Sequence, residues 1–263
     1  MQIALWQTRP QPGIDPALSA LDQAARAAAQ AGADLLVTPE MALGGYNIGA
    51  AQVAANAERA GEVAEALSAI ARRHGIALTA GLALPSPGAR PYNACLAIDA
   101  TGRELARYHK VQLFGEVDAA QFTPGDALSP VFELAGWKLA LAICYDIEFP
   151  ELARGLALRG AELIVTPTAN MVPFSSVNTR LVPARAEENT TCIAYCNYVG
   201  AEGAFTYNGL SCACGADGED IARAPAAEES LLSATFDRAA LAQARRAQPY
   251  LSARRADLYQ GQP

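Results

Sequence analysis

The chain has 263 residues, 51% of them hydrophobic and 18% charged, which is enough apolar content to close a large core. Its formal charge is −7, a poor match for a phosphate backbone or an anionic bilayer, so no nucleic acid and no membrane partner is expected. The N-terminus MQIALWQTRP lacks the basic start of an export signal, and six cysteines in such a chain point to free thiols in a reducing, cytoplasmic setting rather than to a disulfide framework.

Residues 2–8 predict a first apolar strand. The Ala-rich stretch 15–33 has apolar residues at helical spacing, with Asp15 expected as N-cap, Pro16 as first helical residue and Gly32 as the stop. DLLVTPE (34–40) predicts a short buried strand, residues 50–75 one long helical region ending in Arg, His and Gly, and IALTAGLALP (76–85) another strand. Residues 92–114 predict a hairpin turning at DATG. The plan then recurs. WKLALAICYD (137–146) reads as a strand, FPELARGLALRGA (149–161) as a helix and ELIVTPT (162–168) as a strand. NTRLVPARAEEN (178–189) reads as a helix, TCIAYCNYVG (191–200) as a strand and residues 207–224 as a hairpin turning at GADG.

The recurrence extends to the letters. GADLLVTPE (32–40) returns as GAELIVTPT (160–168), and the hairpin that opens YNACLAIDATG is echoed by YNGLSCACGADG. Two related β-α-β-α-β-β halves are implied. Their continuous apolar strands suit sheets covered on both faces, so the expected fold is α/β: a four-layer α-β-β-α sandwich. No Gly/Ser/Pro-rich linker parts the halves, and residues 1–263 are expected to form a single domain.

Glu40 ends one copy of the repeated strand where Thr168 ends the other. A carboxylate at the C-terminal end of a buried strand is a candidate catalytic group, because ligands in α/β sheets favour that edge. Cys144 follows an apolar strand directly, and such a corner can lift a thiol out of the sheet while following N–H groups meet an oxyanion. Lys110 ends the first hairpin, and Glu116 follows in a loop. Taken alone, a lone cysteine is usually core and a lone lysine solvated. Together, a carboxylate can take the thiol proton while an ammonium steadies the developing charge. His74 closes a helix and His109 points away from Lys110 by strand alternation, so no Cys-His pair is expected. The pairs Cys192/Cys196 and Cys212/Cys214 lack the tight spacing of structural zinc and fit core packing better, so no metal is expected.

Glu40 in TPE, Lys110 in YHK and Cys144 in CYDIEFPE, in this order, resemble the Glu-Lys-Cys triad of the nitrilase superfamily of carbon–nitrogen hydrolases, and the resemblance spans essentially the whole chain. It implies Glu40 as general base and Cys144 as nucleophile. It implies Lys110 with the Tyr145 N–H as oxyanion donors, and Glu116 as the second glutamate that orients substrate. A thioester forms and ammonia leaves, with no cofactor. FGEVD, PTAN and the tail look most like bacterial small-amide amidases. Tyr46 in GGYN and Asn170 are then expected in the pocket. Glu148 stands where many relatives carry arginine, which favours a small neutral or amine-bearing amide over N-carbamoyl or ω-amide substrates. A nitrilase, and a catalytically silent binding protein of the same fold, are the alternatives. The family's habit implies a homodimer or larger assembly, with the tail ARRADLYQGQP reaching a partner.

Overall fold

The computed structural model describes residues 1–259; part of the tail expected to reach a partner lies outside the described residues. The first half supplies strands β1 (Gln2–Gln7), β2 (Leu35–Val37), β3 (Ala77–Leu84), β4 (Tyr92–Ile98) and β5 (Glu104–His109). The second supplies β6 (Phe132–Leu134), β7 (Trp137–Leu141), β8 (Leu163–Pro167), β9 (Cys192–Cys196), β10 (Val199–Glu202), β11 (Phe205–Asn208), β12 (Cys212–Cys214), β13 (Asp220–Arg223) and β14 (Ser230–Thr235). The helices that matter for the site are α1 (Ile14–Gln30), α2 (Ala50–Glu58), α3 (Ala60–His74), α4 (Gly115–Gln121), α5 (Pro150–Leu158) and α6 (Val182–Asn189).

Two six-stranded sheets run β14-β1-β2-β3-β4-β5 and β13-β12-β9-β8-β7-β6. Each has a parallel trio at its centre, β1-β2-β3 in one and β7-β8-β9 in the other. Each trio is extended by a hairpin on one side and by an antiparallel edge strand on the other, β14 on β1 and β6 on β7. The inner faces meet through Leu5, Leu35, Val37, Leu139, Leu141, Leu163 and Val165, all at most 1% exposed. One outer face packs on α1 and α3 through Leu21, Ala25, Leu67 and Ile70. The other packs on α5 and α6 through Leu152, Leu156, Val182 and Ala186. This is the expected α-β-β-α layering. It buries the trios on both faces, which is why their sequences are unbroken apolar runs.

Three local expectations need correction. Helix α1 begins at Ile14 behind Gly13 (φ 103), so Asp15 falls in the first turn and caps nothing. The stretch 50–75 is two helices broken at Arg59. Buried Val53, Asn56, Ala57, Ala60, Val63 and Leu67 keep helical spacing across the break, so periodicity alone carries no sign of it. The stretch 191–200 is not one strand: β9 ends at Cys196, and Val199 starts β10, whose hairpin with β11 belongs to neither main sheet. Both echoed hairpins carry a β-bulge, after Ala97 and after Ala213.

Candidate active site

Strand β2 ends one residue before Thr38, and Pro39 turns the chain so that Glu40 enters the interior with 0% exposure. The turn lies against Gly81 of β3. A Cβ there would sit 2.5 Å from the Met41 nitrogen and 2.8 Å from the Pro39 carbonyl, so only glycine lets the Glu40 turn come this close. Glu40 Oε1 accepts from Lys110 Nζ at 2.7 Å and from Asn93 Nδ2 at 2.7 Å. Its Oε2 is buried and has no hydrogen-bond partner among the described residues.

Lys110 follows β5, and its ammonium is wholly buried. It donates to Glu40 and, at 2.7 Å, to Asp118 Oδ2. It also lies 5.6 Å from the centre of the Tyr46 ring. Burial alone would strip its proton, but the Asp118 and Glu40 charges outweigh burial and hold the lysine well above its ordinary pKa.

Cys144 stands where β7 gives way to the 3₁₀ turn Cys144–Glu148. Its φ is +48°, a left-handed value a side-chain-bearing residue adopts at a cost of about 1–3 kcal/mol. Asp146, buried in the same turn, accepts from the Ile143 N–H (3.0 Å), the Gln112 N–H (2.8 Å) and the Tyr108 hydroxyl (2.8 Å), and so ties the cysteine corner to the lysine segment. Burial pushes Asp146 up to about 6 against these donors and the Lys110 charge.

Burial and the Glu40 charge push the Cys144 thiol well up; Lys110, the Thr168 hydroxyl and the Ala169 N–H pull it back. Glu40 is also raised, by burial first and by Asp118, against Lys110 and Asn93. With Lys110 charged and both carboxylates ionised the cluster carries −1, so a thiolate would add a second negative charge to a dry site. The resting thiol therefore keeps its proton, and Glu40, whose charge acts on the thiol, has a raised proton affinity of its own.

Sequence reasoning placed Glu116 here, and the structure corrects it. Glu116 lies in α4, exposed to solvent, and the second buried carboxylate is Asp118, two residues on. Asp118 Oδ2 also accepts the Phe114 N–H at 2.8 Å, while Oδ1 is buried without a partner among the described residues. Asn170 Nδ2 donates to the Phe174 carbonyl and to Asn178 Oδ1, so its amide nitrogen is held in a buried asparagine network. Tyr46 is 1% exposed. The Tyr145 ring, half-buried, meets Phe114 edge-on at 5.3 Å and Phe149 at 4.9 Å. Glu148 is half-buried and, among the described residues, forms no ion pair; Arg185 donates instead to its main-chain carbonyl at 2.7 Å. Burial raises its pKa, while Lys110 and Arg185 oppose the rise.

Asn93 and Asp146 were missed as well. The repeated YN at the start of both hairpins was the available signal for Asn93, whose counterpart Asn208 accepts from Asn197 at 2.8 Å. Away from this cluster, Cys212, Cys214 and Asp220 bring ligand-type atoms within 4.8 Å of one another. Arg223, however, donates to both Asp220 oxygens at 2.6 and 2.7 Å and already balances that charge.

A buried Glu-Lys-Asp set beside a cysteine at a strained corner matches the comparison with known families, where residues 2–246 fit the carbon–nitrogen hydrolase model. The chain belongs to the carbon–nitrogen hydrolase family. Among its relatives, the hydrolase of the pqqF 5′ region in Pseudomonas protegens is 46% identical over 262 residues, covering 98% of this chain and 90% of that one. An ω-amidase of Xenopus tropicalis is 34% identical over 243 residues, covering 88% and 87%. The solved amidase of Nesterenkonia sp. AN1, of the nitrilase superfamily, superposes with a TM-score of 0.89 at 37% identity, covering 98% of each chain. A variant of that amidase carries the acetamide moiety of fluoroacetamide covalently on its active-site cysteine. As a carbon–nitrogen hydrolase, the chain has two six-stranded sheets flanked by helices, the architecture of those neighbours.

Proposed function

We propose that this carbon–nitrogen hydrolase is an amidase. It cleaves the C–N bond of a small neutral or amine-bearing carboxamide to the acid and ammonia. The observation that carries the reading is the position of Lys110, bonded at 2.7 Å to both Glu40 and Asp118 beside Cys144. As the Cys144 sulfur attacks the carbonyl carbon, Glu40 takes its proton. An ammonium has three protons; two of those on Lys110 hold Glu40 and Asp118, and the third, with the Tyr145 N–H, meets the oxyanion. Glu40 then passes its proton to the leaving nitrogen, and ammonia departs. Water, deprotonated by Glu40, attacks the thioester carbon; the acid leaves and the proton returns to the sulfur. Asp118 holds Lys110 and orients the substrate.

An amide is favoured over a nitrile by two buried carboxylate oxygens without hydrogen-bond partners among the described residues, Glu40 Oε2 and Asp118 Oδ1. An amide nitrogen brings two N–H donors to such acceptors, and a nitrile brings none. The Nesterenkonia amidase supports the same choice, since variants of it were solved with acrylamide and with butyramide. The ω-amidase relative keeps an ω-amide in view as a second reading, and half-buried Glu148, without an ion-pair partner among the described residues, argues against its carboxylate. Ammonia release from matched amides and nitriles tests the proposal. Turnover of nitriles in preference to their amides would overturn it.

The remaining expectations belong to the same proposal: one domain, a cytoplasmic enzyme and a homo-oligomer. Among the described residues no helix is long and apolar enough to cross a membrane.

A further inference from the structure

The hairpin β10–β11 stands outside both sheets, yet its last β10 residue reaches the loop that carries Tyr46. Glu202 Oε2 accepts the Asn47 N–H at 2.6 Å and the Tyr207 hydroxyl at 2.5 Å. The Tyr46 N–H lies 3.2 and 3.3 Å from the two carboxylate oxygens. Asn47 Nδ2 donates back to the Glu202 carbonyl at 3.2 Å. The loop is shaped around this carboxylate. Gly44 and Gly45 have φ of +128° and +103°, and a Cβ on Gly45 would lie 2.7 Å from Glu202 Oε1. Two consecutive N–H groups turned toward one anion form a small electropositive hollow, and here the anion is supplied by the chain itself.

The loop's other contacts run inward. The Tyr46 carbonyl accepts from Gln121 Nε2 at 3.3 Å, and its ring walls one side of the Lys110 ammonium. Burial, then the charges of Glu40, Asp118 and Cys144, keep the Tyr46 hydroxyl protonated. Tyr46 thus touches both the Glu202 clamp and the buried charge cluster.

We propose that Glu202 is a positioning residue for the hydrolysis: it fixes Tyr46 against Lys110, so that the ammonium stays dry and aimed at the oxyanion. The inference rests on the amidase reading given above. Electrostatic stabilisation depends on donors held in place with water kept out, so loosening the Tyr46 wall acts on the chemical step more than on substrate binding.

The test is a double-mutant cycle with Glu202→Gln and Tyr46→Ala, reading kcat, KM and Tm on an amide the wild type turns over. Glu202→Gln keeps the shape and removes the charge; it is expected to lower kcat about tenfold or more with KM changed less than about threefold. In the Tyr46→Ala background the same change is expected to leave kcat unaltered while still lowering Tm. An equal kcat loss in both backgrounds would overturn the proposal, as would unchanged kcat in Glu202→Gln. Tyr207→Phe removes one bond to the carboxylate and leaves both N–H contacts, so it should show a smaller kcat loss of the same kind even if Glu202→Gln folds poorly. Full activity in Tyr207→Phe together with unchanged Tm would count against the clamp. Glu40→Gln, run alongside, isolates the underlying reading: if it retains wild-type turnover, the assigned chemistry fails whatever Glu202 does.

Discussion

The main-chain N–H of Glu40 donates to the carbonyl of Thr168 at 3.2 Å. These two residues end the two copies of the repeated strand, so the pseudo-symmetric halves touch at the point where their sequences diverge. One copy brings a carboxylate to the site. The other brings a hydroxyl that bonds to Tyr195 at 3.0 Å and lowers the proton affinity of Cys144.

Thr168→Val is therefore expected to reduce kcat/KM by about 10- to 100-fold, the scale of one hydrogen bond to a charged sulfur. The Tyr195 hydroxyl, 0% exposed residue and all, loses its partner at the same time, so Tm should also fall. Wild-type kcat/KM in Thr168→Val would remove the hydroxyl from the reaction.

Asp118 and Glu116 should separate cleanly. Asp118→Asn is expected to lower kcat by about 10²-fold or more, since it unpins the oxyanion donor; Glu116→Gln should behave like wild type. The pH profile adds a sign. Glu40 must be ionised to act as base, and its raised pKa moves the acid limb of kcat/KM above the ordinary carboxylate range. The Asp118 charge contributes to that rise. Removing it should move the limb to lower pH, and a limb that moved upward would contradict the assignment.

Much of this was legible in the letters. The trios β1-β2-β3 and β7-β8-β9 announce themselves because strands buried on both faces need unbroken apolar runs. Lys110 and Cys144 were legible only in company, since each alone reads as surface or core. Asp118 was not legible, for a physical reason. Helix α4 buries Asp118 and Gln121, three apart, and exposes Gly115 and Glu116, so its inward face is polar. Amphipathic pattern reading assumes the reverse and points at the wrong carboxylate. The Glu202 clamp was hidden because it joins the Tyr46 loop to the end of β10, 155 residues on from Asn47.

Alkylation tests the nucleophile. Cys144 is 8% exposed, while Cys95, Cys196, Cys212 and Cys214 are at 0% and Cys192 at 3%. Burial raises the Cys95, Cys192 and Cys196 thiols as it raises Cys144, so exposure and the charge of the neighbouring base Glu40, not proton affinity, single out Cys144. Iodoacetamide should modify Cys144 first, with ammonia release lost in step, as followed by peptide mass spectrometry. Full activity after stoichiometric labelling of Cys144, or in Cys144→Ala, would end the mechanism.

Glu148 should set charge preference. Its half-buried carboxylate feels the Lys110 field and lacks an ion-pair partner among the described residues. Matched amides differing only in charge should show kcat/KM falling from amine-bearing through neutral to carboxylate-bearing. Glu148→Gln should flatten that order, and the flattening should be mimicked in part by high salt. Faster turnover of the carboxylate-bearing amide by wild type would refute the role.

The bare backbone at Gly81 reaches further than its size. In a saturation-mutagenesis map scored by activity, this position should be as intolerant as Glu40 itself, because any side chain on β3 there pushes on the Pro39–Met41 turn. Such a map would mark Gly81 as a reaction residue although it contributes no atom to the reaction. What selection guards at that position is an empty volume, and the acid–base group is placed as much by that vacancy as by the lysine and asparagine that hold it.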